Sequence, residues 1–413
     1  MQTKIHADLI NEPRVQEAED ILRTCVHCGF CSATCPTYQL LGDELDSPRG
    51  RIYLIKNMLE DKEITREGQS HLDQCLTCRA CETTCPSGVK YARLLEIGQE
   101  ISGELQPASF VVGVRTTLLR KLMPVTGIFR TLVKLGNWFK VLLPSALAEK
   151  VPPAVAAPLD TKALVGRYPI VNPVKQVLVL EGCVQKGATP QVNQSLVRLL
   201  AGQQVAVNFL TEESCCGSMD YHLSAHEAGR NKMRRLIDQL HPVLADYDAI
   251  VSTASGCGAT LKEYEQILQY DPGYRQKARE VVEKVVDVSQ LLAGFDFSID
   301  TDQPLQRVAY HSPCTLQHGQ QLGGVVEDIL SKTGFELVRV DDAHLCCGSA
   351  GTYSLTHPKI AGQLLDNKLT HLQHQEPQII ATANVGCQLH LGSRAKVPVV
   401  HWIELLADSV TGT

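Results

Sequence analysis

The sequence lacks the signatures of several common classes of enzyme and membrane protein. It contains no Gly-x-Gly-x-x-Gly after a strand, no P-loop and no nucleophile elbow, which mark dinucleotide sites, ATP sites and hydrolases. No run approaches the roughly 18 uncharged apolar residues that a membrane-spanning helix needs. We therefore expect no flavin, NAD or ATP site on this chain, and any chemistry on an organic substrate would need a second protein.

A strong net charge and a secretory signal are also missing. The 413 residues carry a formal net charge of −6, which is too small to indicate nucleic-acid binding. The amino-terminal segment is polar and acidic rather than apolar, as expected for a protein that is not secreted. Sixteen cysteines in such a chain favour metal ligation in a reducing compartment over disulfides, so we expect a cytoplasmic location.

The most informative feature is a repeated cysteine motif. Two copies of Cys-x2-Cys-x2-Cys-x3-Cys-Pro run from Cys25 to Pro36 and from Cys75 to Pro86. In two-cluster ferredoxins the first three cysteines of such a motif bind one cluster and the fourth binds the other. Zinc sites, the alternative, typically use two Cys-x2-Cys pairs. We predict two [4Fe–4S] clusters, the first held by Cys25, Cys28, Cys31 and Cys85, and the second by Cys75, Cys78, Cys81 and Cys35.

The segments around these motifs have a helical pattern. Apolar residues recur at steps of three and four both before the first motif and between the two motifs, which predicts an α-helical ferredoxin domain over residues 1–106. A turn at Pro48 to Arg51 precedes the second of these helices. Arg49 and Arg51 could neutralise cluster charge or receive an acidic partner, although such arginines are more often solvated or cap carbonyls.

A basic, apolar segment follows over residues 107–175. No acidic residue lies between Glu104 and Glu149, whereas lysine and arginine alternate there with large apolar residues. This composition predicts amphipathic helices broken at Pro124 and Pro144, and then a proline-rich linker that holds no regular helix. The apolar face suits an anionic membrane surface, or it packs on the chain's own domains or on a partner subunit.

An internal repeat occupies the rest of the chain. A buried strand ending at Cys183 recurs 131 positions later before Cys314, and the same offset relates two Cys-Cys-Gly sequences. A third pair of cysteines, each following a strand and a glycine, is offset by 130. Helical patterns lie between the strands, so we predict two α/β units. They are called here the first unit, residues 176–298, and the second unit, residues 299–413.

Each unit is predicted to bring four cysteines to the carboxyl ends of its strands. Open α/β sheets bind ligands at that edge, and adjacent cysteines can face one metal centre although they form no relaxed disulfide with each other. Inert, buried cysteine is the alternative. The candidate further cluster ligands are Cys183, Cys215, Cys216 and Cys257 in the first unit, and Cys314, Cys346, Cys347 and Cys387 in the second.

Taken together, these motifs resemble one known family. The two cluster motifs, the two Cys-Cys-Gly units and stretches such as CVHCGFCSATCPTYQLLGDELDSPRGRIYLIK and HLCCGSAGTYSLTHP are similar to the iron–sulfur subunits of glycolate oxidase. Related proteins are the third subunit of anaerobic glycerol-3-phosphate dehydrogenase and the cluster subunit of heterodisulfide reductase. The predicted fold is therefore multidomain, with an α-helical ferredoxin domain followed by two α/β cysteine-rich repeat units.

The resemblance implies an electron-transfer subunit with no catalytic residue for glycolate. A partner flavoprotein with FAD would oxidise glycolate to glyoxylate, with D-lactate as a further candidate substrate, and this chain would pass the electrons to a membrane quinone. A flavin suits that partner because it accepts an electron pair and releases single electrons. The chain would then lie in the cytoplasm, peripheral to the cytoplasmic face of the inner membrane.

The chain departs from the wider family at one position of each unit. The fullest Cys-Cys-Gly sites hold an unusual five-cysteine cluster, but the last position is Thr260 in the first unit and His390 in the second. Four cysteines still suffice for an ordinary cubane, and His390 is either a nitrogen ligand or a packed residue. A cluster subunit of a related complex of the glycerol-3-phosphate dehydrogenase or disulfide reductase type and a redox sensor stay open as alternatives. The missing fifth ligand argues against a subunit that itself reduces disulfides, and the lack of a nucleic-acid-binding helix argues against the sensor.

Overall fold

The computed structural model describes residues 1–142, 151, 160–210, 215–297 and 306–410, and up to residue 142 these form helices without strands. The helices of this part are α1 (Pro13–Thr24), α2 (Phe30–Ala33), α3 (Pro36–Leu41), α4 (Pro48–Asp61), α5 (Arg66–Asp73), α6 (Ala80–Thr84), α7 (Tyr91–Leu105), α8 (Phe110–Leu122) and α9 (Thr126–Trp138), with 3₁₀ turns at Glu44–Asp46 and Lys140–Leu142. The helices predicted before and between the cysteine motifs are present.

Helix α4 begins earlier than the sequence pattern suggests. The predicted turn at Pro48 is already the first residue of the helix, because the Ser47 hydroxyl accepts a hydrogen bond from the Gly50 amide at 2.9 Å and so caps it. Proline is well tolerated at this position because it lacks only a backbone N–H, and the first helical amides have no acceptor within the helix. The apolar residues of α4 are buried against α1 and α7, which together form the core of the helical part.

Two four-stranded parallel sheets form the repeat. The strands are β1 (Lys175–Leu180), β2 (Val205–Phe209), β3 (Ala249–Ser252), β4 (Val285–Asp287), β5 (Arg307–His311), β6 (Glu336–Leu337), β7 (Ile379–Thr382) and β8 (Val399–His401). The first sheet has the order β2-β1-β3-β4 and the second the order β6-β5-β7-β8. Corresponding strands therefore occupy corresponding places, as expected for two copies of one α/β unit. The central strands are apolar because helices cover the sheets.

The helices of the repeat lie mostly between the strands. They are α10 (Thr161–Arg167), α11 (Cys183–Ala188), α12 (Gln191–Gly202), α13 (Ser218–His222), α14 (His226–Leu240), α15 (Ser255–Lys262), α16 (Tyr264–Ile267), α17 (Arg275–Lys284), α18 (Val288–Leu292), α19 (Val325–Lys332), α20 (Tyr353–Thr356), α21 (Pro358–Gln373), α22 (Val385–Gly392) and α23 (Trp402–Ser409). A 3₁₀ segment at His241–Asp246 and a π turn at Thr315–Gly319 complete the set.

The prediction of a linker without a regular helix is wrong for α10. This helix fits between Pro158 and Pro169, and the Asp160 carboxylate caps it by accepting the Ala163 amide at 3.0 Å. Leu164 is buried in the core of the repeat, so packing and a cap outweigh the proline-rich surroundings. Much of the remaining linker, and with it the predicted break at Pro144, lies outside the described residues.

One apolar core joins the two units. Helices α12 and α23 pack against each other, and the core contains Val251 of the first sheet together with Val308 and the fully buried Trp402. The His401 ring also contacts the Thr253 carbonyl at 3.0 Å across the boundary. The two sheets are therefore held in one arrangement, with the carboxyl ends of their strands bordering the same cavity.

Helices α8 and α9 form the predicted amphipathic pair, and the chain breaks between them around Pro124. Phe129 and Val133 of α9 are buried against Ala188 and Val385 of the two units. No residue of α8 is buried, and both helices line the cavity. Among the helices that the structure describes, none has the length and apolar character required to cross a membrane.

Candidate metal centres

The two N-terminal cysteine loops share one backbone conformation. His27 and Gly29 in the first loop have φ values of 54° and 85°, and Thr77 and Arg79 at the same positions of the second have 50° and 63°. Left-handed residues are uncommon outside glycine and store strain. Their recurrence at matching positions indicates that both loops are shaped to turn their cysteines inward.

The first predicted quartet comes together in the structure. Cys25 ends α1, Cys31 lies in α2 and Cys85 ends α6, and all three line one small cavity with Cys28. Burial, together with the neighbouring thiols of Cys25, Cys85 and Cys28, raises the pKa of Cys31 to about 11. A cysteine of the second motif thus lies beside those of the first.

The second predicted quartet comes together in the reciprocal way. Burial raises the pKa of Cys81, and the thiols of Cys78, Cys75 and Cys35 raise it further because they lie close by. Cys35 is the last cysteine of the first motif, so the two motifs exchange their fourth cysteines. This is the arrangement found when two cubanes are bound side by side.

Two arginines place positive charge beside these thiols. Arg51 is fully buried, donates to the Asp46 carboxylate at 3.1 Å, and interacts electrostatically with Cys75 and Cys35. Arg49 pairs with Glu44 at 2.7 Å and interacts with Cys31. Arg51 also donates to the His71 and Asp46 carbonyls at 2.6 and 2.7 Å, as the second of the two interpretations expected, and a role of either arginine in offsetting cluster charge remains a prediction.

The first unit collects its four candidate cysteines at the carboxyl edge of its sheet. The Cys183 thiol donates to the Cys215 sulfur at 3.8 Å, and this contact, with a second from Cys216, lowers the pKa of Cys215. Contacts with Cys215 and Cys257 raise the pKa of Cys216. Thr260, where the wider family has a fifth cysteine, donates to the Gly256 carbonyl at 3.1 Å within its own helix.

The second unit collects the corresponding four. The contact with Cys346, followed by burial, raises the pKa of Cys314, and Cys347 lies against Cys387. His390 is buried with its Nε2 at 3.3 Å from the Ala361 carbonyl, which matches the interpretation of a packed, hydrogen-bonded residue. His311, the last residue of β5, lies beside Cys347 and Cys387, although no motif in the sequence predicts a ligand at this position.

The glycine of each Cys-Cys-Gly sequence is required by backbone geometry. Gly217 and Gly348 have φ values of 83° and 86°, in the left-handed region that only glycine adopts freely. A Cβ atom on either would lie 2.7 Å from a backbone carbonyl of the following long helix, at Gly229 and Ala361 respectively. The glycine therefore lets this helix approach the paired cysteines closely.

A single cavity of about 2280 Å³ joins the second quartet to the cysteines of the two repeat units. Its lining residues include Cys75 and Cys78 from the second quartet and all eight candidate cysteines of the two units. Cys78 interacts electrostatically with Cys314 and with Cys346, so the second quartet adjoins the second unit.

The donor chemistry fits iron–sulfur centres. All sixteen cysteines lie within the described residues, and none of them forms a disulfide. Two converged quartets of thiols supply the ligands that two [4Fe–4S] clusters need, and each Cys-Cys-Gly unit has enough thiols for one further centre. The cysteines of this chain therefore fit iron–sulfur clusters as their bound cofactors.

Comparison with known proteins gives a consistent result. A family model described as "4Fe-4S dicluster domain" matches residues 21–89, and one described as "Cysteine-rich domain" matches residues 177–262 and 308–392. The Escherichia coli (strain K12) glycolate oxidase iron-sulfur subunit is 46% identical over 99% of both chains. The probable glycolate oxidase iron-sulfur subunit of Bacillus subtilis (strain 168) is 32% identical over 97% of this chain and 96% of its own length. Lactate utilization protein A of Geobacillus kaustophilus (strain HTA426) is 30% identical over 52% of this chain and 92% of its own length.

Proposed function

This chain belongs to the family of glycolate oxidase iron–sulfur subunits, and from that premise we propose that it passes electrons from a partner flavoprotein to a membrane quinone. It is an electron-transfer subunit of a glycolate- or lactate-oxidising dehydrogenase. In the proposal, FAD on the partner oxidises glycolate to glyoxylate, D-lactate is a second substrate, and no residue of this chain is catalytic on either.

The observation that carries the proposal is the chain of adjoining cysteine groups. The exchange of Cys35 and Cys85 brings the two N-terminal quartets side by side, and Cys78 interacts with Cys314 of the second unit. Iron–sulfur clusters bound at these groups would supply one-electron transfer. The chain's own residues would hold the groups at fixed separations, exclude water by burial, and offset anionic charge through Arg49 and Arg51.

The test separates flavin reduction from acceptor reduction. In the anaerobically purified complex, we expect Cys31→Ser to remove the electron paramagnetic resonance signal of one cubane. Glycolate should still reduce the flavin of the variant, whereas reduction of a quinone analogue should be lost. Ser32→Ala is the matched control, because it changes the neighbouring residue of the same helix without removing a thiol. An unaltered spectrum in Cys31→Ser would contradict the assignment of Cys31 as a ligand.

We also propose that α8 and α9 place the chain on the anionic inner membrane, where the quinone lies. Phe110 and Trp138 are 84% and 80% exposed, and no acidic residue occurs from 105 to 148 to repel anionic lipid. Phe129 and Val133 keep α9 packed on the units. Helices α8 and α9 thus expose one apolar face to solvent, while other residues of both helices line the cavity that contains the cysteines.

Flotation with vesicles of anionic and of neutral lipid tests this membrane face. We expect the chain to float with anionic vesicles, and the variant with Phe110→Ser, Trp138→Ser and Lys121→Ser to remain in the dense fraction. Val171 and Val174 are also well exposed but lie elsewhere, so replacing both with serine is the control. Equal flotation of all variants would end the proposal.

A further inference from the structure

We propose that His311 is a nitrogen ligand of iron in the second unit, where it binds one iron atom together with Cys347 and Cys387. This inference depends on the proposal that the second unit holds a metal centre. It does not depend on which substrate is oxidised or which acceptor is reduced. It would give the two repeat units chemically different centres.

The His311 side chain is buried and has no polar partner. It is 2% exposed, and neither ring nitrogen forms a hydrogen bond to any part of the chain that the structure describes. An imidazole in a protein interior normally bonds through at least one nitrogen, because the loss of its hydration is otherwise uncompensated. Burial of the His311 imidazole is therefore unfavourable unless another group, such as a metal ion, binds one of its nitrogens.

The neighbours of this imidazole are metal-binding thiols. One ring nitrogen of His311 and the sulfurs of Cys347 and Cys387 all lie within 4.8 Å of one another, and all three residues are buried. Ligands at about 2.0–2.3 Å from one tetrahedral metal ion lie roughly 3.5–4 Å apart. The three atoms can thus reach a common ion with small side-chain movements.

The surroundings favour an electron-carrying metal over a purely structural one. Lys368 is buried, donates to the Asp342 carbonyl at 2.7 Å, and brings its charge close to Cys346 and Cys347. Cys314 and Cys346 in turn adjoin Cys78 of the second quartet. Thiolates and imidazole bind both zinc and iron, but this position next to a predicted cluster favours iron.

The first unit cannot form the same site. The residue that corresponds to His311 is Leu180, at the end of β1, and it packs against the apolar core of its unit. At this position the first unit consequently offers no nitrogen ligand. Replacement of a thiolate by a neutral imidazole raises the reduction potential of an iron–sulfur centre. The second unit would therefore be the better electron acceptor of the two.

Nitrogen hyperfine spectroscopy tests the ligand directly. The full complex is purified anaerobically from cells grown with ¹⁵N-histidine, its iron and zinc are counted, and the reduced centres are examined by pulsed electron paramagnetic resonance. We expect a strongly coupled histidine nitrogen that disappears in His311→Ala and persists in His390→Gln, which changes another buried histidine of this unit. His311→Cys, which restores a ligand, should retain iron and lower the potential of the centre.

Three outcomes would overturn the inference. These are the absence of a strongly coupled nitrogen in the unaltered protein, a coupling that survives in His311→Ala, and zinc in place of iron in the second unit. Should His311→Ala fail to fold, the unaltered protein and His311→Cys still decide the question. Glycolate-driven reduction of the two N-terminal clusters, measured in the same samples, reports separately on the proposed electron relay.

Discussion

The two repeat units have the same sheet order and the same four cysteines, yet they meet the ferredoxin part of the chain in different ways. The first unit meets it through charged groups: Arg230 pairs with Glu100 at 2.5 Å, and Glu263 pairs with Arg79. The second meets it through an apolar cluster that contains Leu76, Tyr353 and Cys346. The two units thus share their sheet order and their four cysteines, whereas their contacts with the ferredoxin part differ.

The difference suggests separate tasks for the two copies. Cysteines of the second unit interact with Cys78 of the second quartet, which is the condition for rapid electron exchange. The cysteines of the first unit interact electrostatically with one another, and the unit meets the ferredoxin part through ion pairs and hydrogen bonds, such as that from Gln269 to Glu17. We infer that the second unit extends the relay and that the first mainly holds the assembly together.

The largest expected effect comes from replacing the same cysteine in each unit. Cys314→Ser should slow acceptor reduction on the order of tenfold or more, because it removes a candidate ligand next to the second quartet. Cys183→Ser, the corresponding change in the first unit, should leave the rate within about a factor of two. Steady-state reduction of a quinone analogue by glycolate measures both. Equal losses in the two variants would show that the units are equivalent in the relay.

The two interfaces should also differ in their sensitivity to single substitutions. Arg230→Met leaves the largely buried Glu100 with only a more distant cation, Arg14 at 3.7 Å, which costs about 2 kcal/mol in the free energy of unfolding. Tyr353→Phe removes one hydrogen bond, from the hydroxyl to the Gln74 carbonyl at 3.0 Å, and costs about 1 kcal/mol. Chemical denaturation followed by circular dichroism gives both values.

An exposed ion pair provides the control for this comparison. Arg23 pairs with Glu19 on the surface of α1, and its side chain is 60% exposed. Arg23→Met should therefore cost less than about 0.5 kcal/mol. A cost for Arg230→Met no larger than that of Arg23→Met would contradict the importance of the charged interface.

The smallest expected effect is a difference in acid sensitivity. Burial opposes ionisation of Glu100, but the hydrogen bond from Arg230 and nearby positive charges outweigh it, so the pKa of Glu100 is lowered. Stabilisation from a lowered carboxyl pKa is complete above the unfolded value of about 4.3 and is lost as pH falls through the folded value. Acid should therefore loosen the first interface before the second.

Hydrogen exchange compared at pH 6 and at about pH 3, which lies below the unfolded carboxyl pKa, checks this prediction. Amides around Tyr221 in the first unit should lose protection as the pH falls, while those around Tyr353 in the second keep theirs. In Glu100→Gln, the first interface should lose much of this pH dependence because its titrating group is gone. Parallel loss of protection at both interfaces would contradict the prediction.

Several features could be predicted because they depend on short spacings. The repeated cysteine motif predicted that Cys35 and Cys85 change places, and the structure brings each beside the other motif's thiols. Strands followed by cysteine predicted two α/β units, and the structure has two sheets of identical order. The ligand roles of the sixteen cysteines and the domain boundaries remain predictions.

Other features escaped the pattern for identifiable reasons. Helix α10 was missed because one cap at Asp160 and the burial of Leu164 outweigh the flanking prolines. His311 was missed because a single histidine at the end of a strand has the same local pattern as a packed core residue. Only the positions of Cys347 and Cys387, each more than thirty residues further along the chain, distinguish it.

The sequence alone determined the spacing of the sixteen thiols, their grouping into two motifs and a duplicated unit, and the family, because cysteine spacing is a local, covalent property. The tertiary structure alone decided which cysteine groups adjoin, that Arg51 is buried beside Cys35 and Cys75, and that His311 lies beside the thiols of Cys347 and Cys387. These relations arise from the packing of helices and sheets that are distant along the chain. Such packing depends on the side chains of all the contacting elements, so no local spacing in the sequence reveals it.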